Sequence, residues 1–356
     1  MVSSLQTQPR VAVDTESNSL HAYRERVCLI QFSIPTADYL VDPLALSDLA
    51  PLGPFFAAAD VEKVFHAAEY DLMCLKRDFG FACRRLFDTR VASRTLGWPQ
   101  DGLGDLLLQQ FGLQLDKRHQ RSDWGQRPLP PGLLDYARLD THYLLELRDR
   151  LAEALRRAGR WEEACEEFVR LEQVEAHCNG FDPDGYWRIA TAGKLSPSQV
   201  AVLQQLYLLR EDLARAADRP PFKVMGNQTL LAVAQAAPTT LDALATLPGM
   251  TDRQIQRYGE PLLAAVHRGL RMPPPQPPAH ERIEDDVLAR YDALRLWRKR
   301  AAEARQVESD VILPREVLWE IARRAPHNAE ELKQIMTPLL WRHQAYGREI
   351  LRVLSG

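Results

Sequence analysis

The run Arg10-Val-Ala-Val-Asp-Thr-Glu-Ser17 decides how the first half of the chain folds. Val11 and Val13 flank a small residue and give way to polar ones, which is the pattern of a strand. Side chains alternate across a strand, so Asp14 and Glu16 leave the same face. Outward from this run, Val27–Phe32, Tyr39–Val41 and Val64-Phe65 are also short, apolar and bounded by polar residues. Asp60–Glu62 and Glu69–Phe79 flank or follow them with helical spacing. Strands alternating with helices predict an α/β sheet domain. From Leu133 to about Cys178 the pattern is helical, with one glycine, Gly159, placed as a C-cap.

Composition narrows the class. The chain has 356 residues, 46% hydrophobic and 26% charged, which suits a soluble protein with more than one core. No run of about 18 apolar residues is present, so no spanning helix and no membrane partner are expected. The first twenty residues hold Arg10, Asp14 and Glu16 and no apolar run, so no secretory signal is expected. The five cysteines are widely spaced and form no C-x-x-C pair, which argues against a disulfide framework or a zinc ribbon. A reducing, cytoplasmic compartment is the expectation. The net charge of −3 hides an asymmetry: residues 1–178 hold 21 Lys+Arg against 27 Asp+Glu, and residues 179–356 hold 24 against 21. An acidic first half suits carboxylates gathered for cations better than a phosphate-binding surface, although charge alone favours an ordinary solvated surface.

After Gly180 the character changes. Phe181-Asp-Pro-Asp-Gly185 is turn chemistry, and Ser196-Pro197 reads as an N-cap followed by proline at the first helical position. Pro273-Pro-Pro-Gln-Pro-Pro278 breaks any helix and predicts an extended spacer. On either side of it the sequence repeats. Shifted by 88 residues without a gap, Arg210 meets Arg298, Leu230 meets Leu318, Val233 meets Ile321, Tyr258 meets Tyr346 and Gly259 meets Gly347. Apolar matches at helical spacing predict a duplicated domain of four or five short helices.

Three acidic motifs stand out in the first half. Asp14-Thr15-Glu16 ends the first strand; alone, such a pair is common in an acidic chain. His66-Ala-Ala-Glu-Tyr-Asp71 turns from a strand into a helix, with Asp71 in the first turn, where an acidic residue ordinarily serves the helix dipole. His66 reads as a hydrogen-bonded turn histidine. Asp135-Tyr136-Ala-Arg-Leu-Asp140 places Tyr136 and Asp140 one turn apart on one helix face.

Together, Asp14, Glu16, Asp71, Tyr136 and Asp140 resemble the D-x-E … D … Y-x-x-x-D pattern of the DEDD 3′–5′ exonucleases, tyrosine subtype. Phe65–Leu72, Leu86–Thr89, Leu115–Lys117, Ser122–Trp124, Arg127–Leu129 and Asp135–Ala137 resemble the bacterial ribonuclease D family in order and spacing, and the duplicated module resembles the HRDC (helicase and RNase D C-terminal) domain. The resemblance runs from Val11 nearly to the end. It implies an α/β RNase H-like exonuclease domain, residues 1–178, followed by two all-α HRDC domains, residues 195–271 and 281–356, joined by a Pro-rich linker, residues 272–280. Two departures stand beside it. Ser17 occupies a place where the family commonly has an aromatic, and the chain starts 13 residues before Asp14, so a segment ahead of the first strand is an expected omission.

The chemistry agrees with the resemblance. Two divalent ions supply both an activated water and charge stabilisation for phosphodiester hydrolysis. Hard cations take oxygen ligands, so four carboxylates without a His/Cys cluster suit Mg²⁺ or Mn²⁺ rather than zinc. Two carboxylates 5 Å apart repel by roughly 3 kcal/mol at an effective dielectric near 20, so the site needs cations. The resemblance assigns Asp14, Glu16 and Asp140 to the ion that carries the attacking water, Asp14 and Asp71 to a second ion, and Tyr136 to positioning the water and assisting its deprotonation. It implies release of 5′-mononucleotides from RNA with a single-stranded 3′ end, with tRNA precursors as the substrate; no long heptad pattern suggests a coiled-coil dimer, so a monomer is expected. Lys117, Arg118, Arg121, Trp124 and Arg127 combine cations and an aromatic, which reads either as a single-strand path or as a solvated loop. Arg295, Arg298, Lys299, Arg300 and Arg305 read either as phosphate contacts or as a mixed helix face. Two other functions fit the residues: a DNA 3′–5′ exonuclease, and a nucleic-acid-binding scaffold with a vestigial site. The presence of all five site residues argues against the scaffold.

Overall fold

The computed structural model describes residues 1–176, 180–278 and 283–355. A short helix α1 (Val2–Gln6) precedes strand β1 (Arg10–Ser17), followed by β2 (Val27–Ile34), β3 (Ala37–Val41), α2 (Gly53–Ala57), β4 (Glu62–Phe65), α3 (Glu69–Phe79) and β5 (Leu86–Asp88). The sheet order is β3-β2-β1-β4-β5, with β1, β2 and β3 antiparallel and β4 and β5 parallel to β1. Helices α4 (Thr89–Leu96), α5 (Leu103–Phe111), α6 (Pro131–His142), α7 (Leu144–Arg157) and α8 (Trp161–Glu172) complete the domain. Two sequence expectations change. Asp60–Glu62 is not helical, because Glu62 already pairs with Arg10 as β4 joins β1. The three-residue β5 is an additional strand, too short to announce itself by alternation.

The main core lies around the sheet, built from Val11, Val13, Ile30, Phe32, Phe55, Phe56, Val64 and Phe65 and the inner faces of α4, α7 and α8. A smaller cluster of Cys28, Leu29, Trp124, Leu133 and Ala137 fastens α6 to β2. This is the packing that matters for the site, since α6 carries one motif and β1, beside β2, the other.

The repeat folds as two sets of five helices: α10 (Pro197–Ala216) to α14 (Asp252–Arg271), preceded by α9 (Tyr186–Gly193), and α15 (Asp285–Arg305) to α19 (Leu340–Leu354). Within the first set lie α11 (Pro221–Val224), α12 (Asn227–Ala236) and α13 (Leu241–Ala245); within the second, α16 (Ser309–Ile312), α17 (Arg315–Arg324) and α18 (Ala329–Met336). Ser196 and Gln199 form a reciprocal capping box with Pro197 next to it, as the sequence implied. The repeat is real in detail. Arg210 donates to the carbonyl of Met225, and its counterpart Arg298 to that of Leu313, also 88 residues on.

Contacts group the chain into two bodies: Met1–Ser17, Val27–His177 and Arg282–Gly356 form one, and Asn18–Arg26 with Cys178–Glu281 form the other. This grouping cuts across the linear boundaries drawn from the sequence. The second helical copy belongs with the sheet domain, held by buried charges. Arg342, only 1% exposed, donates to Glu166 at 2.7 Å and to the carbonyl of Val311, and Arg305 pairs with the wholly buried Glu163. In the other body the β1–β2 loop joins the first copy. Tyr23 donates its backbone N–H to Asp218 and its hydroxyl to Glu211, and Arg215 reaches back to the Tyr23 hydroxyl. Residues 279–282, where the linker meets the second copy, and Cys178 lie outside the described residues.

Candidate active site

Strand β1 presents Asp14 and Glu16 on the face that α6 covers, and its register with β2 shifts just after Glu16. Such an irregularity bends a strand and re-aims its side chains. Helix α6 enters with proline in its first turn and brings Tyr136 and Asp140 down one face. One ligating oxygen each from Asp14, Glu16 and Asp140 lie within 4.8 Å of one another. Asp71, in the first turn of α3, is buried and accepts a hydrogen bond from the hydroxyl of Thr15, which sits between the two acidic residues of β1. The structure therefore brings three of the four carboxylates into one cluster and ties the fourth to it through Thr15. Tyr136 and Asp140, one turn apart on α6, influence each other's ionisation.

The electrostatics are those of crowded, desolvated acids. Burial pushes the Asp14 carboxyl up to about 7. Glu16 is pushed up to about 10, by burial first and then by Asp14, Asp140 and Asp71. Asp71 and Asp140 also titrate well above the ordinary carboxylate range, from burial and the nearby Asp14 charge. Burial raises the Tyr136 phenol too, with the charges of Asp140, Glu16 and Asp14 opposing its ionisation. Asp14 and Glu16 nonetheless keep an opening to solvent through a cavity of about 420 Å³ lined by both, with Asp140 and Tyr136. Hard oxygen donors, converging and mutually repulsive, fit a divalent cation.

Other residues line the same cavity, among them His66, Ala67, Arg90, Asp101 and Gln120. The sequence singled out only His66 of these. Its Nδ1 lies 2.9 Å from the Thr89 hydroxyl, in hydrogen-bond contact, and burial lowers its basicity, so the turn reading holds while the ring also faces the cavity. Ala67 adopts φ of 62°, a left-handed conformation rare for alanine, pinned by Asp88 accepting from the backbone N–H groups of Ala67 and Ala68. Asp88 also caps α4 through Arg90 and Val91. The cue was Leu86-Phe-Asp-Thr89, whose aspartate fastens the turn leading to Asp71. Arg90, in turn, is engaged by Asp101 at 3.0 Å.

The expected single-strand path is corrected in part. Trp124 is 1% exposed and packs under α6 with its ring 6.2 Å from that of Tyr136, so it supports the site instead of offering a stacking face. Arg127 is spent internally: it forks onto Asp42 and donates to the carbonyls of Cys28, Trp124 and Gln126. Arg118 is exposed and paired with Asp116 two residues away, and Arg121 is exposed with an interaction of its own. The side chain of Lys117 lies outside what is described. The same loop still reaches the cavity, through Leu115, Asp116 and Gln120. In the basic stretch of α15, Arg298 and Arg305 are structural for the reasons given above, and Arg295 pairs with Asp292.

The family model described as 3′-5′ exonuclease matches residues 1–156, and the HRDC domain model matches residues 199–266 and 287–354. A ribonuclease D of Jannaschia sp. (strain CCS1) is 32% identical over 360 residues, covering 98% of this chain and 91% of its own length. The catalytic core of RRP6 from Trypanosoma brucei is 30% identical with a TM-score of 0.68, covering 76% of each chain. Escherichia coli RNase D, an exoribonuclease involved in structured RNA processing, shares the fold with a TM-score of 0.69 at 24% identity, over 99% of this chain and 95% of its own.

Proposed function

The chain belongs to the ribonuclease D family and is a 3′–5′ exoribonuclease, and on that premise we propose how its residues act and on what. Asp14, Glu16, Asp71 and Asp140 hold two divalent ions, Mg²⁺ or Mn²⁺. The observation that carries this is the meeting of Asp14, Glu16 and Asp140 oxygens within 4.8 Å from segments more than 120 residues apart. When bound, such ions activate a water and stabilise the leaving oxygen of an in-line displacement.

The protein's own contributions follow from its side chains. Asp14 opposes the ionisation of Glu16, Asp71 and Asp140 alike, which supports it as the residue shared by the two ion positions. Tyr136 stays protonated, since burial lifts its phenol above its ordinary value. It therefore serves by holding the attacking water, not by taking its proton. Thr15 fixes Asp71 from the strand, so the fourth carboxylate is placed by β1 as well as by α3. The cavity is of a size that holds a small ligand, which supports taking one terminal nucleotide at a time and releasing it as a 5′-mononucleotide.

The substrate is RNA with a single-stranded 3′ end, tRNA precursors in particular, attacked by a monomer in the cytoplasm. No helix among the described residues is long and apolar enough to cross a membrane. The test is degradation of 5′-labelled single-stranded RNA and of a tRNA precursor with a 3′ extension, in Mg²⁺ or Mn²⁺. Matched samples carry EDTA, the Asp140→Asn variant, or DNA of the same sequence. A metal-dependent ladder from the 3′ end, lost in the variant and weak on DNA, is expected. Faster loss of DNA, or binding without cleavage in every metal condition, would overturn the assignment.

A further inference from the structure

Gln31 is wholly buried in β2, and neither atom of its side-chain amide has a hydrogen-bond partner. Native proteins rarely leave a buried amide unpaired, so the position asks for a reason. Its place in the sheet supplies one. The β1–β2 register sets Gln31 directly opposite Asp14, Ser33 opposite Ala12 and Leu29 opposite Glu16. Directly opposed residues in an antiparallel pair share a face. Ser33 hydrogen-bonds the Thr141 hydroxyl at 2.7 Å, and Leu29 packs with Ala137. Both partners lie on α6, so this face is the one α6 covers. Gln31 falls between those two contacts, level with Asp14 on the sheet and with the turn of α6 that carries Asp140.

The geometry points to Gln31 as a positioning residue for the metal-bearing carboxylates. In the ion-loaded state its amide N–H donates to an oxygen of Asp14 or Asp140 that is turned away from the cavity, fixing which oxygen faces the ion. This rests on the proposed metal site. Groups that orient a metal's ligands ordinarily contribute 10- to 100-fold to affinity. An amide suits the task because it adds a donor without adding a charge to a site already crowded with carboxylates.

The test compares the full chain with Gln31→Met and Gln31→Leu, which keep the bulk and remove the amide. Three quantities are read: the melting temperature in EDTA, the Mn²⁺ midpoint from calorimetry and from the metal-induced rise in melting temperature, and kcat and KM on labelled RNA. Expected are an Mn²⁺ midpoint raised about 10-fold or more, a lower kcat with KM unchanged, and a metal-free melting temperature that does not fall. A midpoint within twofold of the parent in both variants would overturn the inference. So would a lower metal-free melting temperature with an unmoved midpoint, which marks the amide as packing alone. A parent protein that does not respond to Mn²⁺ or Mg²⁺ would remove the metal site itself, and this inference with it.

Discussion

Asp14, Glu16, Asp71 and Asp140 meet under α6, where the dominant influences are burial and one another's charge. Glu163, Glu166 and Glu167 meet on α8, in the same body, but there each faces an arginine: Arg305, Arg342 and Arg170. The two acidic clusters are similar in burial and opposite in purpose. On α8 the chain provides its own counter-charges, two of them from the second helical copy, and the result is a fixed joint. Under α6 the counter-charge is left to come from outside, and the result is a site. Even the joint is not free of cost, for burial holds Glu166 above the ordinary carboxylate range despite Arg342 beside it. The repeat sharpens the point. The positions of Arg305 and Arg342 are Ala217 and Gln254 in the first copy, so that copy keeps the shared fold and lacks those anchors.

Removing one charged group from each cluster, an acid from the first and an arginine from the second, should separate them most widely. Asp14→Asn should cut turnover at least about 10³-fold, the scale of losing a group that stabilises transition-state charge. Its metal-free melting temperature should hold or rise, because a repulsive partner is gone; a marked fall would break the contrast. Arg342→Met should do the reverse. It strands Glu166 in a buried joint and should cost about 3–5 kcal/mol of stability in denaturant unfolding, with turnover per folded molecule unchanged. Adding Glu166→Gln to it should restore most of that loss. Tyr136→Phe, next in size, should lose about 10²-fold in turnover while keeping the metal-induced rise in melting temperature. A lost rise would make the phenol a ligand support instead of a water holder.

The smallest effect is on pH dependence. Carboxyls whose acidity is suppressed on folding keep protons that the unfolded chain has already released. The metal-free protein should therefore lose stability as pH climbs from about 4, through about 7 for Asp14 and toward about 10 for Glu16. Melting curves in EDTA should slope downward with pH, and saturating Mg²⁺ should flatten them between pH 5 and 9. Parallel slopes with and without Mg²⁺ would count against the site.

Much of this was legible because the relevant spacing is local. Two carboxylates two apart on a strand, and a tyrosine four before an aspartate on a helix, declare their shared faces without any tertiary knowledge. So does an 88-residue repeat. Apart from the three-residue β5, the failures are non-local. Nothing local marks Glu163 and Glu166 as ion-pair partners, because Arg305 and Arg342 arrive from more than 140 residues away. Trp124 and Arg127 look like an exposed cationic and aromatic strip, yet the packing of α6 on β2 takes one and the fork onto Asp42 takes the other. Gln31 gives no signal in a strand of apolar neighbours, since only its opposition to Asp14 makes it notable.

The hydrogen bond from Tyr23 to Glu211 links residues 188 apart. At roughly 5–20 residues per second of synthesis, about 10–40 s pass between the emergence of the two. Throughout that interval the bend directly after the Asp14–Glu16 strand waits without its partners, although the strand itself can already pair. The β1–β2 loop, among the first segments to leave the ribosome, thus gains these partners only once α10 has followed it.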